Sequence, residues 1–150
     1  MQILFKKIIV IFWALWWLVA LWTDVIGGLS HLGYLHASWA PDNNYPFLVK
    51  SLEMYNVPDW LPVFFYIGIN IFSFACVILF ARAVWTLNKP NWLENVNMAF
   101  IFSMSYWLMF FLADQIIMNF DLEQNHMVQG GFQLLCYLTL YILPNKSLEL

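Results

Sequence analysis

Asp24 and Asp114 are the residues whose chemistry is hardest to place without a purpose. Each falls inside a stretch otherwise apolar enough to span a bilayer. An ionised carboxylate in hydrocarbon is costly, so such a residue turns toward a bundle interior or a wet cavity and takes a partner there. Asn70 and Gln133 are the amides in comparable stretches, and Gln115 follows Asp114 directly. These five residues are the candidates for binding a ligand or carrying a proton. Their alternative role is structural, with Asn and Gln bridging helices by hydrogen bonds.

Histidine adds a third donor type. His31 follows Asp24 by seven residues, so the two share a face if the helix continues, and His36 comes next in the same stretch. His126 opens the last apolar segment. Asp24, His31 and His126 offer donors that suit zinc, iron or copper, with His36 as a further ligand, although their spacing matches no recognised metal motif. No histidine occupies the middle of a span, which argues against a b-type haem. No Ser or Cys lies three or four residues from a histidine, the spacing that would pair them on one helix face, and no glycine-rich phosphate loop occurs, so no cofactor is assigned. Cys76 and Cys136 both fall in apolar segments and read as small buried hydrophobes rather than a disulfide pair.

The elements that must position these groups follow from composition. The 150 residues are 63% hydrophobic, 20% aromatic and 10% charged, with a formal net charge of −3. A soluble domain carries about 25% charged residues, so most of this surface must meet lipid. No basic run points to nucleic acid. The chain reads as one domain with four apolar segments, over about 8–28, 61–85, 98–120 and 128–143. Each approaches the ~20 residues that a helix needs to cross the hydrocarbon. Backbone in lipid must satisfy its own hydrogen bonds, which makes them helices. The first follows Lys6 and Lys7 as a signal peptide would, but it is too long and too rich in Trp for one and reads as a retained anchor.

Basic residues set the expected orientation. Lys6, Lys7, Arg82, Lys89 and Lys146 fall on one side and only Lys50 on the other. The side rich in Lys and Arg is cytoplasmic, giving both termini inside and an up-down bundle of four transmembrane helices joined by short loops. Trp39 and Trp60 suit the outer interface, Trp85 and Trp92 the inner. The outer loop, 29–60, is long. Its first part extends the first helix toward Pro41. Its second reads as a short interfacial helix, with Pro46 in the first turn and Leu48, Leu52 and Tyr55 on one face. At 1.5 Å rise per residue, Asp24 and Asp114 lie roughly 6 to 9 Å below the outer boundary and Asn70 roughly 13 Å. Asp24, Asn70, Asp114 and Gln133 thus share one layer, as in a polar pocket that opens outward.

The segment FLVKSLEMYNVPDWLPVFFYIGINIFSFACVILFARAV resembles the DoxX/MauE-type membrane family over roughly residues 47–84, through the amphipathic stretch ending at Pro58 and a second helix that closes on Arg82. The family often carries a glutamate where Asn70 stands here. The resemblance implies a four-helix protein of the bacterial inner membrane that serves as an accessory or redox-associated subunit, with a membrane protein partner or a second copy of itself. A looser similarity, to EXPERA-type membrane proteins, rests on Asp24 near the end of the first helix and the long loop after it. It implies a binder or isomerase of a small hydrophobic, lipid- or sterol-like ligand, in which Asp24 and Asp114 hold an amine or a carbocation.

Overall fold

The computed structural model describes residues 1–36 and 44–144. They form five α-helices and one 3₁₀ turn: α1 Gln2–His31, α2 Asn44–Leu52, the turn Glu53–Tyr55, α3 Trp60–Trp85, α4 Trp92–Ile116 and α5 Phe120–Ile142. No strand occurs among the described residues. Helices α1, α3 and α4 are long and apolar enough to cross a membrane. Trp39, Pro41 and Lys146, used above for the interface, the helix end and the orientation, lie outside the described residues.

The ends of the helices differ from the sequence reading for local reasons. α1 starts before Lys6 and Lys7, because lysine is a good helix former and nothing there breaks a helix. It stops at His31 instead of running on toward Pro41. Gly33 takes φ +78°, the Tyr34 N–H bonds to Leu29 O at 2.9 Å and the Gly33 N–H to Ser30 O at 3.0 Å. These two bonds form a Schellman C-cap. α4 ends in the same motif, with the Asn119 N–H on Asp114 O at 3.1 Å and the Met118 N–H on Gln115 O at 3.3 Å. The left-handed position there belongs to Met118, at φ 51°. A side chain costs roughly 1–2 kcal/mol in that conformation. Met118→Gly is therefore expected to stabilise the turn by about 1 kcal/mol, after the extra chain entropy that glycine loses on folding. Thermal unfolding in mild detergent should show a raised midpoint, and a lowered one would contradict the assignment of strain.

α5 starts eight residues before the apolar segment does. The Asn119 side chain accepts the Leu122 N–H at 3.1 Å, and Asp121 and Glu123 occupy the first turn, so the polar stretch is an N-capped helix start. α2 has Pro46 in its first turn as expected. Leu52 is buried and Leu48 half-buried, but Tyr55 is exposed, because the chain tightens into the 3₁₀ turn before reaching it.

The chain forms two compact units, 1–15 with 78–150, and 16–77. The first is organised on α4 and α5. On α4, residues 96, 100, 103, 107, 110 and 114 recur at alternating steps of four and three. On α5, residues 126, 130, 133, 137 and 140 do the same. This is the period of two helices packed along a shallow left-handed seam. Contacts run antiparallel along it: Asp114 on His126, Trp107 on Gln133, Phe100 stacked on Tyr137 at 5.2 Å between ring centres, and Tyr141 hydrogen-bonded to Asn97. The rest of the unit closes over the seam. Phe80 packs edge-on to Phe100, and Phe12 and Trp13 pack on Phe132. Lys6 is fully buried, with Nζ donating to Leu140 O at 2.5 Å near the end of α5, where a helix C-terminus favours a cation.

Candidate functional site

The seam between α4 and α5 carries a continuous set of buried polar groups. The helices come close at Gly130. A Cβ placed there would lie 2.9 Å from Phe111 Cζ and 3.2 Å from Trp107 Cβ and Cγ, so glycine lets the α5 backbone come against Trp107 without displacing either side chain. Trp107 Nε1–H then donates to Gln133 Oε1 at 2.6 Å, and Gln133 Nε2–H to Ser103 Oγ at 2.9 Å. Ser103 in turn donates to Phe100 O at 3.1 Å. Indole nitrogen only donates, which fixes which end of the amide faces it. Both ends of Gln133 are thereby engaged, and Gln133 and Ser103 are fully buried.

At the other end of the seam, Asp114 is 2% exposed and its Oδ2 lies 2.6 Å from His126 Nδ1. The His126 side chain is 15% exposed. Its ring packs at 4.6 Å from Phe110 and 5.7 Å from Trp107, centre to centre. A carboxylate held against an imidazole in this way sets the tautomer and orientation of the ring. Gln115 lies outside this arrangement: its side chain is exposed, and its backbone carbonyl serves the turn.

No protein-family model, curated protein or solved structure matches the chain.

Asp24 and Asn70 belong to the other unit, where Tyr66 links them. The Tyr66 hydroxyl donates to the backbone oxygen of Asp24 at 2.6 Å, and Asn70 Nδ2 donates to Tyr66 O at 2.9 Å. Asn70 Oδ1 is buried without a hydrogen bond among the described residues. Gly28 makes room for the Tyr66 ring, since a Cβ there would lie 3.0 Å from Cε1. The Asp24 carboxylate accepts from Asn44, the first residue of α2. Beside it, Tyr45 packs edge-on to Tyr66 at 5.3 Å, and the His31 ring sits 4.9 Å from Tyr45.

Of the metal candidates, His31 packs its ring at a tilt against Tyr45, His36 is exposed, and His126 is held by Asp114. Among the described residues, no three His, Cys, Asp or Glu side chains gather into a set able to hold a metal ion. Cys76 and Cys136 are free thiols.

Trp107, Ser103, Tyr66 and Asn44 are the partners that reasoning on polarity alone passes over. The seven-residue step from Trp107 to Asp114, matched by that from His126 to Gln133, is the sequence signal for the first site. The four-residue step from Tyr66 to Asn70 is the signal for the second.

Proposed function

We propose that this chain is a small integral membrane protein of the bacterial inner membrane, with four spans and both ends inside, that works as an accessory subunit of a larger membrane assembly. The observation that carries the reading is the pairing of buried polar groups with one another along the α4–α5 seam. Gln133 is spent between Trp107 and Ser103, and Asp114 is spent on His126. Groups used in this way hold a hairpin together, and what the hairpin offers outward is apolar surface. Met109, Leu112, Val128, Phe132 and Leu135 are all exposed. The fourth span rests on the same seam. α5 pairs along its length with a helix able to cross, and its polar residues His126 and Gln133 face that helix, which supports a fourth crossing. The resemblance of residues 47–84 to DoxX/MauE-type proteins supports an accessory and redox-associated role. Purification in a mild detergent should give a particle in which other polypeptides co-migrate with this chain. A lone chain that keeps a bound small molecule would overturn the reading.

A second reading has its own observation. The carboxylate of Asp24 accepts from Asn44, the chain neighbour of Tyr45, and the Tyr45 ring packs against those of Tyr66 and His31; a carboxylate and aromatic rings in one region are the groups that attract an organic cation. In that reading the chain binds a small hydrophobic, lipid- or sterol-like amine, as the EXPERA similarity implies. Mass spectrometry of a solvent extract of the purified chain should then find such a molecule, and Asp24→Asn should lower its amount at least about tenfold, the scale of one lost charged contact. Unchanged retention would end this reading.

A further inference from the structure

His126 brings a titratable ring to the end of the seam and leaves half of it unused. Nδ1 is taken by Asp114 at 2.6 Å. Nε2 makes no hydrogen bond among the described residues, and the side chain keeps 15% of its surface open. Asp114, by contrast, is closed off at 2%. An ionised carboxylate only accepts, so the ring donates Nδ1–H and presents a lone pair at Nε2. The pair can therefore take up a proton at Nε2 while its negative charge stays buried.

The side chains next to the pair along the seam offer no titratable group. The neighbour of His126 on the seam is Trp107, which meets it through ring contact and whose Nε1–H points to Gln133. Indole nitrogen has no lone pair with which to receive a proton, and a carboxamide neither gains nor loses one in this range. The charged residues of α4 and α5 besides Asp114 are Glu94, Asp121 and Glu123. Glu123 lies one turn before His126 and Asp121 earlier still, both toward the turn between the helices. Glu94 lies at the far end of α4, and Lys6 of α1 at the far end of α5. Phe12 and Trp13 of α1, which pack on Phe132, carry no titratable group.

We propose that Asp114 and His126 form a proton-binding site open to one side of the membrane only, the side on which α4 ends and α5 begins. The step is a single bond: a proton from water binds Nε2, the ring becomes an imidazolium held by the carboxylate, and the proton leaves by the same bond. The site requires that α4 crosses the bilayer and is independent of the accessory role.

Nitrogen-15 spectra of the histidine-labelled chain in vesicles would test it. The sequence has three histidines, so His31→Gln with His36→Gln leaves His126 as the sole signal. Met118→Cys, in the turn, reports through an impermeant maleimide which compartment bathes that end. Two results are expected. In the neutral ring the proton sits on Nδ1, a preference that Asp114→Asn abolishes. As the pH of each compartment is varied in turn, the ratio of charged to neutral ring follows the turn-side compartment and ignores the opposite one. A neutral ring protonated on Nε2, a response to the opposite compartment or to both, or no response in the unsubstituted Asp114 background would each overturn the proposal.

Discussion

Gly130→Leu is expected to break the α4–α5 pairing, at a cost of about 3 kcal/mol or more. A Cβ alone would stand 2.9 Å from Phe111 Cζ and 3.2 Å from two atoms of Trp107. The Phe111 contact is the tip of a ring that can swing aside. The Trp107 contacts are Cβ and Cγ, at the root of a side chain whose ring is pinned by Gln133, and these cannot yield without moving α4. Overpacking of this kind costs typically 1–3 kcal/mol and more where the backbone must shift, and leucine places its further carbons in the same space. Gly130→Ala is a milder case. Alanine recovers about 1 kcal/mol of helix propensity over glycine, so its net loss should be near 1 kcal/mol. Gly131 supplies the control, because a Cβ there meets nothing within 4 Å. Gly131→Ala should stabilise by up to about 1 kcal/mol from propensity alone. Thermal unfolding followed by far-ultraviolet dichroism and tryptophan emission would rank the three. Equal stability of Gly130→Leu and the parent would show that the helices are not held at that distance.

The contrast between these neighbouring glycines also marks what a sequence can disclose. Helical character was legible throughout, because long apolar runs in lipid leave the backbone no other way to satisfy itself. The ends were less so. Met118 in a left-handed turn is written nowhere in residue type, and the polar start of α5 reads as a loop until Asn119 is seen to cap it. Asp114 and Gln133 were legible as groups too costly to leave unpaired in hydrocarbon, but cost says nothing about direction around a helix. Their partners Trp107, Ser103 and His126 emerge only when the three- and four-residue steps of both helices are laid against each other. Asn44 on Asp24 had no such signal, since the stretch between them has no period to read.

Gln133→Leu should cost about 2 kcal/mol, although leucine nearly matches glutamine in volume and belongs in an apolar seam. The loss is concentrated on one group. Ser103 keeps its bond to Phe100 O, whereas Trp107 Nε1–H loses its acceptor at a buried position. An unsatisfied buried donor costs about 1–3 kcal/mol. Bonds between membrane helices average nearer 0.6 kcal/mol, because the unfolded chain in a bilayer finds substitutes. The higher value should prevail here, since Trp107 is only 3% exposed and Gly130 presses the helix backbone against its root, so neither water nor a rotation can supply a replacement. Removing the donor as well tests this directly. In a Trp107→Phe background the orphaned group is gone, and Gln133→Leu should then cost less than about 1 kcal/mol, leaving a coupling of at least 1 kcal/mol between the two positions. Additive costs would mean that the bond carries no energy. The double variant bears on function too: if the seam serves to hold the hairpin for a partner, a chain with phenylalanine and leucine at these positions should still co-migrate with the polypeptides that accompany the parent, whereas a seam that did chemistry could not be made apolar without loss.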